Sequence, residues 1–381
     1  LTFPVMDNWR PQQLGLAEFI KPVDFMDETT LERCSKSFLR HVLANLPPEE
    51  LDLLGVVTID VAVNGMPGMA YMDRIKMSTS MGNPYNTTKR KFLIPLDDDM
   101  WPEGMRFIPE VEEVIEDMIV KLSNGVRCHA IFIAHLKNEA VSYKKAKSGK
   151  TRIFFSGPGT LLVIVRMYFM SFCRVVQRNR GVFMCAVGLN TTSLEWDRLY
   201  HYLAKFGVDT AIAGDYEFYD KKIKILLMRV VTDFIINICI ASGNFSEEEL
   251  IVMRTLMMDL ASPTVDFFGM LMTLLGGEVS GHQFTTVLNC IVNIFYLMYA
   301  WEKAGYDVDE FFDFVVAVVL GDDHVVCVSP ERPLYTHTLV QKVMSKIGVG
   351  YTMADKTSES LPYIPLSDAV FLKRGFKYDK S

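Results

Sequence analysis

Two adjacent carboxylates stand at Gly321-Asp322-Asp323, between Val315-Val316-Ala317-Val318-Val319-Leu320 and His324-Val325-Val326-Cys327-Val328. Two β-branched runs around a tight glycine turn predict a hairpin. Like charges crowded at such a turn resist joint ionisation, and a divalent cation with oxygen ligands would compensate them. A Gly-Asp turn with both acids in water is the competing reading, since turns favour these residues. A second acidic pair begins where Ala211-Ile212-Ala213-Gly214 leads as a short strand into Asp215, with Asp220 five residues on. One carboxylate there would bind metal while the other reads a different part of the same ligand; otherwise Asp220 is a helix N-cap. The third group is Gly276-Gly277-Glu278-Val279-Ser280-Gly281-His282-Gln283-Phe284-Thr285, continuing into a helix with Asn289. Thr285 and Asn289, four apart, share a helical face. The glycines let backbone approach a strand of nucleic acid, although a glycine-rich loop before a helix is also an ordinary connection.

Hydrophobic periodicity supplies the elements that must position these groups. Helices are expected over 160–178, 221–241, 246–260 and 284–300, the third opened by Ser246 and Glu249 in a capping-box pattern. Leu46-Pro47-Pro48-Glu49-Glu50 resembles a helix opening. Met77 to Tyr85 is polar and small-residue-rich, an ordered loop. Residues 97–117 carry nine acids against one base and are expected on a solvated face, whereas 137–152 reverse the sign. There Lys137, Lys144, Lys145, Lys147, Lys150 and Arg152 face Glu139 alone, a net +5. No repeat of solenoid or propeller period is present.

The 381 residues suffice for two to three domains with a sizeable core, half of them being apolar or aromatic. A net charge of −7 argues against a uniformly basic nucleic-acid wrapper but leaves room for a local basic groove. Seven scattered cysteines without C-x-x-C spacing argue against a zinc cage or a disulfide framework and fit a reducing compartment. The longest apolar runs are interrupted by charge, Arg229 and Asp233 in one and Asp313, Asp322 and Asp323 in another, so no transmembrane segment is expected. Leu1 in place of an initiator Met suggests a segment excised from a longer product.

The three groups occur in the order D-x4-D, SG-x3-T-x3-N and GDD. In that order they resemble an RNA-dependent RNA polymerase of picornavirus-like positive-strand RNA viruses. Flanking stretches extend the resemblance. Ser78-Thr79-Ser80-Met81-Gly82-Asn83-Pro84-Tyr85 is similar to the family's motif where template enters. Leu136-Lys137-Asn138-Glu139 through Gly149-Lys150-Thr151-Arg152 is similar to its basic motif where the nucleotide enters. Ala354-Asp355-Lys356 and Phe371-Leu372-Lys373-Arg374 resemble the last two palm motifs.

The resemblance implies an α+β, right-hand fold with an antiparallel palm sheet flanked by helices. Fingers are expected over 1–175, palm over 176–223, a fingers insertion over 224–264 and palm again over 265–381, with the thumb truncated. It also implies templated RNA synthesis by nucleotidyl transfer, with Asp215, Asp322 and Asp323 holding two Mg²⁺ ions (Mn²⁺ substituting). Asp322 would be the closer ligand alongside Asp215. Lys356 would be the general acid for pyrophosphate. Asp220 and Asn289, with Ser280 and Thr285, would sense the ribose 2′-hydroxyl. Lys137, Lys145, Lys150 and Arg152 would neutralise the triphosphate, while Ser78, Thr79, Ser80, Gly281, Lys373 and Arg374 would contact template and primer. Implied partners are template and primer RNA, ribonucleoside triphosphates, a genome-linked protein primer and other viral replication proteins, at membrane-associated complexes in the host cytoplasm.

Three residues depart from the family pattern: Leu320 where Tyr is usual, Val141 where Arg is frequent, and Asn83 where Tyr is common. A reverse transcriptase is the enzymatic alternative, against which the Asp220–Asn289 pair argues. An inactive palm scaffold is the other, against which the retained acids and bases argue.

Overall fold

The computed structural model describes residues 9–20, 25–140, 142–143, 147–149, 151–279, 281–282 and 284–376. Among the described residues β1 (Leu93–Pro95) and β2 (Met105–Phe107) pair with each other, while β5 (Ala211–Glu217), β8 (Val315–Leu320), β9 (Asp323–Val328) and β10 (Gly350–Met353) form a central sheet of order β10-β5-β9-β8. All three pairings are antiparallel. The valine-rich runs form the expected hairpin: Leu320 pairs with Asp323, leaving Gly321 and Asp322 as a two-residue turn. Gly321 has φ 64°, the positive value a tight hairpin demands at its first central residue. Thr352 pairs with Asp215 on one side of β5, and on the other Gly214 pairs with His324. Asp215 therefore emerges beside the Asp322-Asp323 turn.

Helix Thr285–Lys303 lies against this sheet, with Asn293, Phe295, Leu297 and Trp301 fully enclosed. Its far end is laced to helix Glu28–Asn45 by Lys303 on Asp27 at 2.8 Å and by Arg33 on Glu302. Helix Gly159–Arg178 runs through the core. Among the described residues, it and Ile225–Ser242 are the two helices long and apolar enough to cross a membrane by length and composition. The first is 89% buried within the protein itself. The second carries the charges that interrupted its pattern in ion pairs, Arg229 with Glu28 and Asp233 with Arg254.

A second sheet, of order β4-β3-β6-β7, consists of β3 (Ile131–Leu136), β4 (Ile153–Ser156), β6 (Thr264–Phe267) and β7 (Met270–Thr273). The β3–β6 pairing is parallel, and Arg127 ties the approach to β3 onto buried Asp259 at 2.8 Å. The chain thus leaves this sheet after Thr273.

Helices appear at 159–178, 247–261 and 285–303 as anticipated, and the Ser246/Glu249 capping box is present. The expected helix over 221–241 is instead broken. A short turn at Tyr219–Lys222 stops at Ile223 and Lys224, and Ile225–Ser242 restarts. Tertiary contacts impose the break, because Ile223 O accepts from Gly277 N at 2.6 Å and Lys224 Nζ donates to Ile347 O at 2.7 Å.

Candidate active site

The rim of the central sheet gathers Asp215, Asp322 and Asp323. Asp322 is exposed on the turn, and Asp323 is half-buried. Asp215 pairs with Lys356 Nζ at 2.8 Å, Lys356 lying just past β10 in the left-handed region at φ 64°. Asp323 turns the other way and accepts from Leu372 N at 2.7 Å. Burial, followed by the negative charge of Asp322 and Asp215, pushes the Asp323 carboxyl above its ordinary range, while the Leu372 amide opposes the rise. Among the described residues no three His, Cys, Asp or Glu side chains already stand as a metal cluster. The local reason is visible, since two of the three acids are engaged by Lys356 and by the Leu372 amide. The donor set nevertheless consists of hard carboxylate oxygens, and the crowding felt by Asp323 is what a divalent cation relieves.

Sequence reasoning overlooked the groups beneath this rim. Asn293 is fully buried, and its Nδ2 donates to Gly321 O at 2.9 Å and Asp322 O at 3.2 Å. His324, also fully buried, has Nδ1 3.1 Å from Asp322 O and Nε2 2.7 Å from the Tyr351 hydroxyl. Burial lowers the His324 pKa to about 4, so the ring is neutral at pH 7. A signal existed: Asn293 is an amide four residues past Asn289 in an otherwise apolar helix, and His324 opens an otherwise apolar strand.

Asp220 lies close enough to Asp322 and Arg152 to feel their charges. It is the second residue of the short helix rather than its N-cap, which is Phe218. Burial raises its pKa, the positive charges of Lys221 and Arg152 oppose this, and Asp322 adds to it. Asp220, Arg152 and Asp322 thus share one field. On the facing helix, Thr285 Oγ1 and Asn289 Oδ1 are buried without a hydrogen-bond partner among the described residues. Buried polar atoms of this kind are ordinarily hydrogen-bonded, so two on one helical face stand out. Tyr219 hydroxyl donates to Asn289 O at 2.7 Å, joining this helix to the Asp220 turn. Below it, Glu278 N donates to Asp220 O at 2.7 Å, while the Glu278 carboxyl lies 3.8 Å from His282, both side chains enclosed.

Lys137 and Arg152 converge on Glu139 at 3.4 and 3.6 Å, and Lys137 N donates to Arg152 O at 2.8 Å. Arg152 remains 73% exposed, leaving its fork free to turn toward a ligand. The expectations for Ser280, Lys145 and Lys150, and the departure at Val141, fall outside the described residues.

The exposed Ser78, Thr79 and Ser80 lie in the loop as expected. Buried Lys89 braces it, donating to Thr79 Oγ1 at 2.8 Å and Ser80 O at 2.6 Å. A Cβ on Gly82 would stand 2.5 Å from Gly157 O, and one on Gly281 2.8 Å from Gly157 N. Three loops therefore meet backbone to backbone at Gly157. Lys373 and Arg374 are exposed on a tight hairpin of β11 (Val370–Phe371) and β12 (Arg374–Gly375). Phe371 is buried at its base, where Phe376 stacks on Trp196 at 4.9 Å.

Residues 21–381 match the family described as viral RNA-dependent RNA polymerase. The chain belongs to that family. It is 27% identical over 97% of its length to the RNA1 polyprotein of red clover mottle virus, and 26% identical over 86% to the replicase polyprotein of acute bee paralysis virus. It spans 20% and 18% of those two relatives. The fold matches the Sicinivirus 3Dpol RNA-dependent RNA polymerase with a TM-score of 0.77 at 21% identity, covering 95% of this chain and 70% of that one. The α+β architecture is accordingly the right-hand polymerase fold.

Proposed function

We propose that this chain carries the catalytic centre of an RNA-templated RNA polymerase. The observation that carries the proposal is the antiparallel placing of β5 beside the β8–β9 hairpin, which sets Asp215 next to Asp322 and Asp323 at one sheet rim. In this reading the central sheet is the palm, and the β4-β3-β6-β7 sheet belongs to the fingers, including residues 264–273.

Asp215 and Asp322 would hold two Mg²⁺ ions, with Asp323 as a weaker ligand and Mn²⁺ as a substitute; these ions would activate the primer 3′-hydroxyl and neutralise the triphosphate. Lys356, released from Asp215, would donate a proton to the departing pyrophosphate. Arg152 and Lys137, freed from Glu139, would grip the phosphates, Arg152 by its fork. Lys145 and Lys150 are assigned the same task from sequence. Asp220, Asn289 and Thr285, with Ser280, would recognise the ribose 2′-hydroxyl, which offers both a donor and an acceptor. Ser78 to Ser80 and Gly281 would guide the template, and Lys373 and Arg374 the primer backbone. Release from a polyprotein, priming by a genome-linked protein, and work beside other replication proteins at membranes of the host cytoplasm complete the proposal.

The test is primer extension on a poly(A) template with ribonucleotides and Mg²⁺. Wild type is expected to incorporate UMP, and Asp322→Ala to abolish incorporation with its circular dichroism unchanged. Incorporation that persists in Asp322→Ala would overturn the metal assignment. A preference for deoxynucleotides would favour a reverse transcriptase.

A further inference from the structure

The turn that carries Asp322 is held from beneath by the buried side chains of Asn293 and His324. We infer that Asn293, His324 and Tyr351 form a buried positioning relay that fixes the Asp322 peptide and thereby aims its carboxylate. The inference rests on the polymerase reading above.

Hydrogen-bond chemistry fixes the direction of the links to the turn. The carbonyls of Gly321 and Asp322 can only accept, so Asn293 must present its Nδ2 to both, at 2.9 and 3.2 Å. The amide cannot flip, because its Oδ1 accepts from the Tyr216 hydroxyl at 3.1 Å. Asp322 O also faces His324 Nδ1 at 3.1 Å, and a carbonyl can only accept, so Nδ1 carries a hydrogen and donates. Nε2 pairs with the Tyr351 hydroxyl at 2.7 Å. The two rings stack at 5.6 Å with 15° between their planes, which sets the imidazole's tilt. Gly321 N closes the turn onto Cys290 Sγ at 3.2 Å.

A second observation ties the relay to the neighbouring strand. A Cβ on Gly214 would stand 2.1 Å from Tyr351 Cζ and 2.2 Å from its hydroxyl oxygen. The phenol therefore crosses β5 through the space left by the residue preceding Asp215. One buried tyrosine thus sets the spacing between the strand of Asp215 and the turn of Asp322. An exposed two-residue turn would otherwise rock, whereas a metal-binding carboxylate loses effectiveness with small misplacement. A role confined to fold stability would require only that the space be filled; the doubled donors on one carbonyl specify orientation.

The experiment compares Asn293→Ala, His324→Leu, His324→Asn and Tyr351→Phe in the complete polymerase that contains this chain. Readouts are kcat and KM for UTP in primer extension, Mn²⁺ affinity by electron paramagnetic resonance, and melting temperature. Asparagine places an N–H where Nδ1 stood, so His324→Asn is expected to keep most activity. His324→Leu and Asn293→Ala are expected to lose about 10- to 100-fold in kcat, the range carried by groups that orient a metal ligand. KM is expected to stay within about twofold, and Mn²⁺ affinity to fall in step with kcat, as orientation of the ligand rather than of the substrate requires. Tyr351→Phe, which removes one oxygen and leaves the packing, is expected to show a smaller loss of the same kind. Equal losses in His324→Leu and His324→Asn, a deficit confined to KM, or variants indistinguishable from wild type would overturn the relay. A wild type that binds Mn²⁺ through Asp322 yet extends no primer would overturn the polymerase reading instead.

Discussion

A buried oxygen without a partner is expensive unless a ligand supplies one, and Asn289 Oδ1 and Thr285 Oγ1 on one helical face find none among the described residues. On the neighbouring turn, joined to this helix by Tyr219, the Asp220 carboxyl is raised by burial and its oxygens accept, while the Thr285 hydroxyl can also donate. This combination suits a hydroxyl that donates to one side and accepts from the other. Asn289→Ala is therefore expected to lower discrimination between UTP and dTTP by about 10-fold or more, since the loss of one hydrogen bond to a buried hydroxyl is worth about 1–2 kcal/mol. Competition between the two nucleotides in a single primer-extension reaction measures it. An unchanged ratio would remove Asn289 from the sugar-reading site.

At the scale of elements, the helix Glu247–Ala261 shows what local sequence encodes well. Ser246 Oγ accepts from Glu249 N at 3.2 Å, and Glu249 Oε2 accepts from Ser246 N at 2.7 Å. Three acids follow in the first turn, where the helix dipole favours them. Ser246→Ala is expected to cost about 1 kcal/mol of stability, read as a lower melting temperature with KM for UTP unchanged. The neighbouring helix teaches the opposite lesson. Its apolar pattern runs through Ile223 and Lys224 without a break, but Gly277 N and the carbonyl of Ile347 claim those residues. Neither partner is near in sequence, so no local periodicity could announce the interruption.

For the molecule as a whole, acid stability follows from buried histidine. Burial lowers His282 to about 4, against about 6.5 in an unfolded chain, and burial pushes the Glu278 carboxyl beside it well above its ordinary range. Below about pH 6.5 the unfolded chain takes up a proton that folded His282 refuses. The stability this group contributes is complete above pH 6.5 and is lost progressively as pH falls toward 4, with a slope on the order of 1 kcal/mol per pH unit at most. Melting temperatures of wild type between pH 7 and 5 should fall more steeply than those of His282→Leu. Parallel slopes would show that His282 does not titrate in this way.

The residues themselves determined the spaced acids at 215, 220, 322 and 323, the hairpin that carries two of them, the capped helices and the order of the motifs. Those features live in runs of a few residues, where β-branched stretches, glycine turns and helical periodicity leave a readable trace. Tertiary structure decided that Lys356 rests on Asp215, that Asp323 answers to Leu372, that residues 264–273 complete the second sheet, and that Asn293 and His324 hold the Gly321-Asp322 turn. Each of these joins residues brought together by packing or sets the direction of a side chain inside the core. Burial then fixed which polar atoms had to find one another, a choice made only once water was excluded.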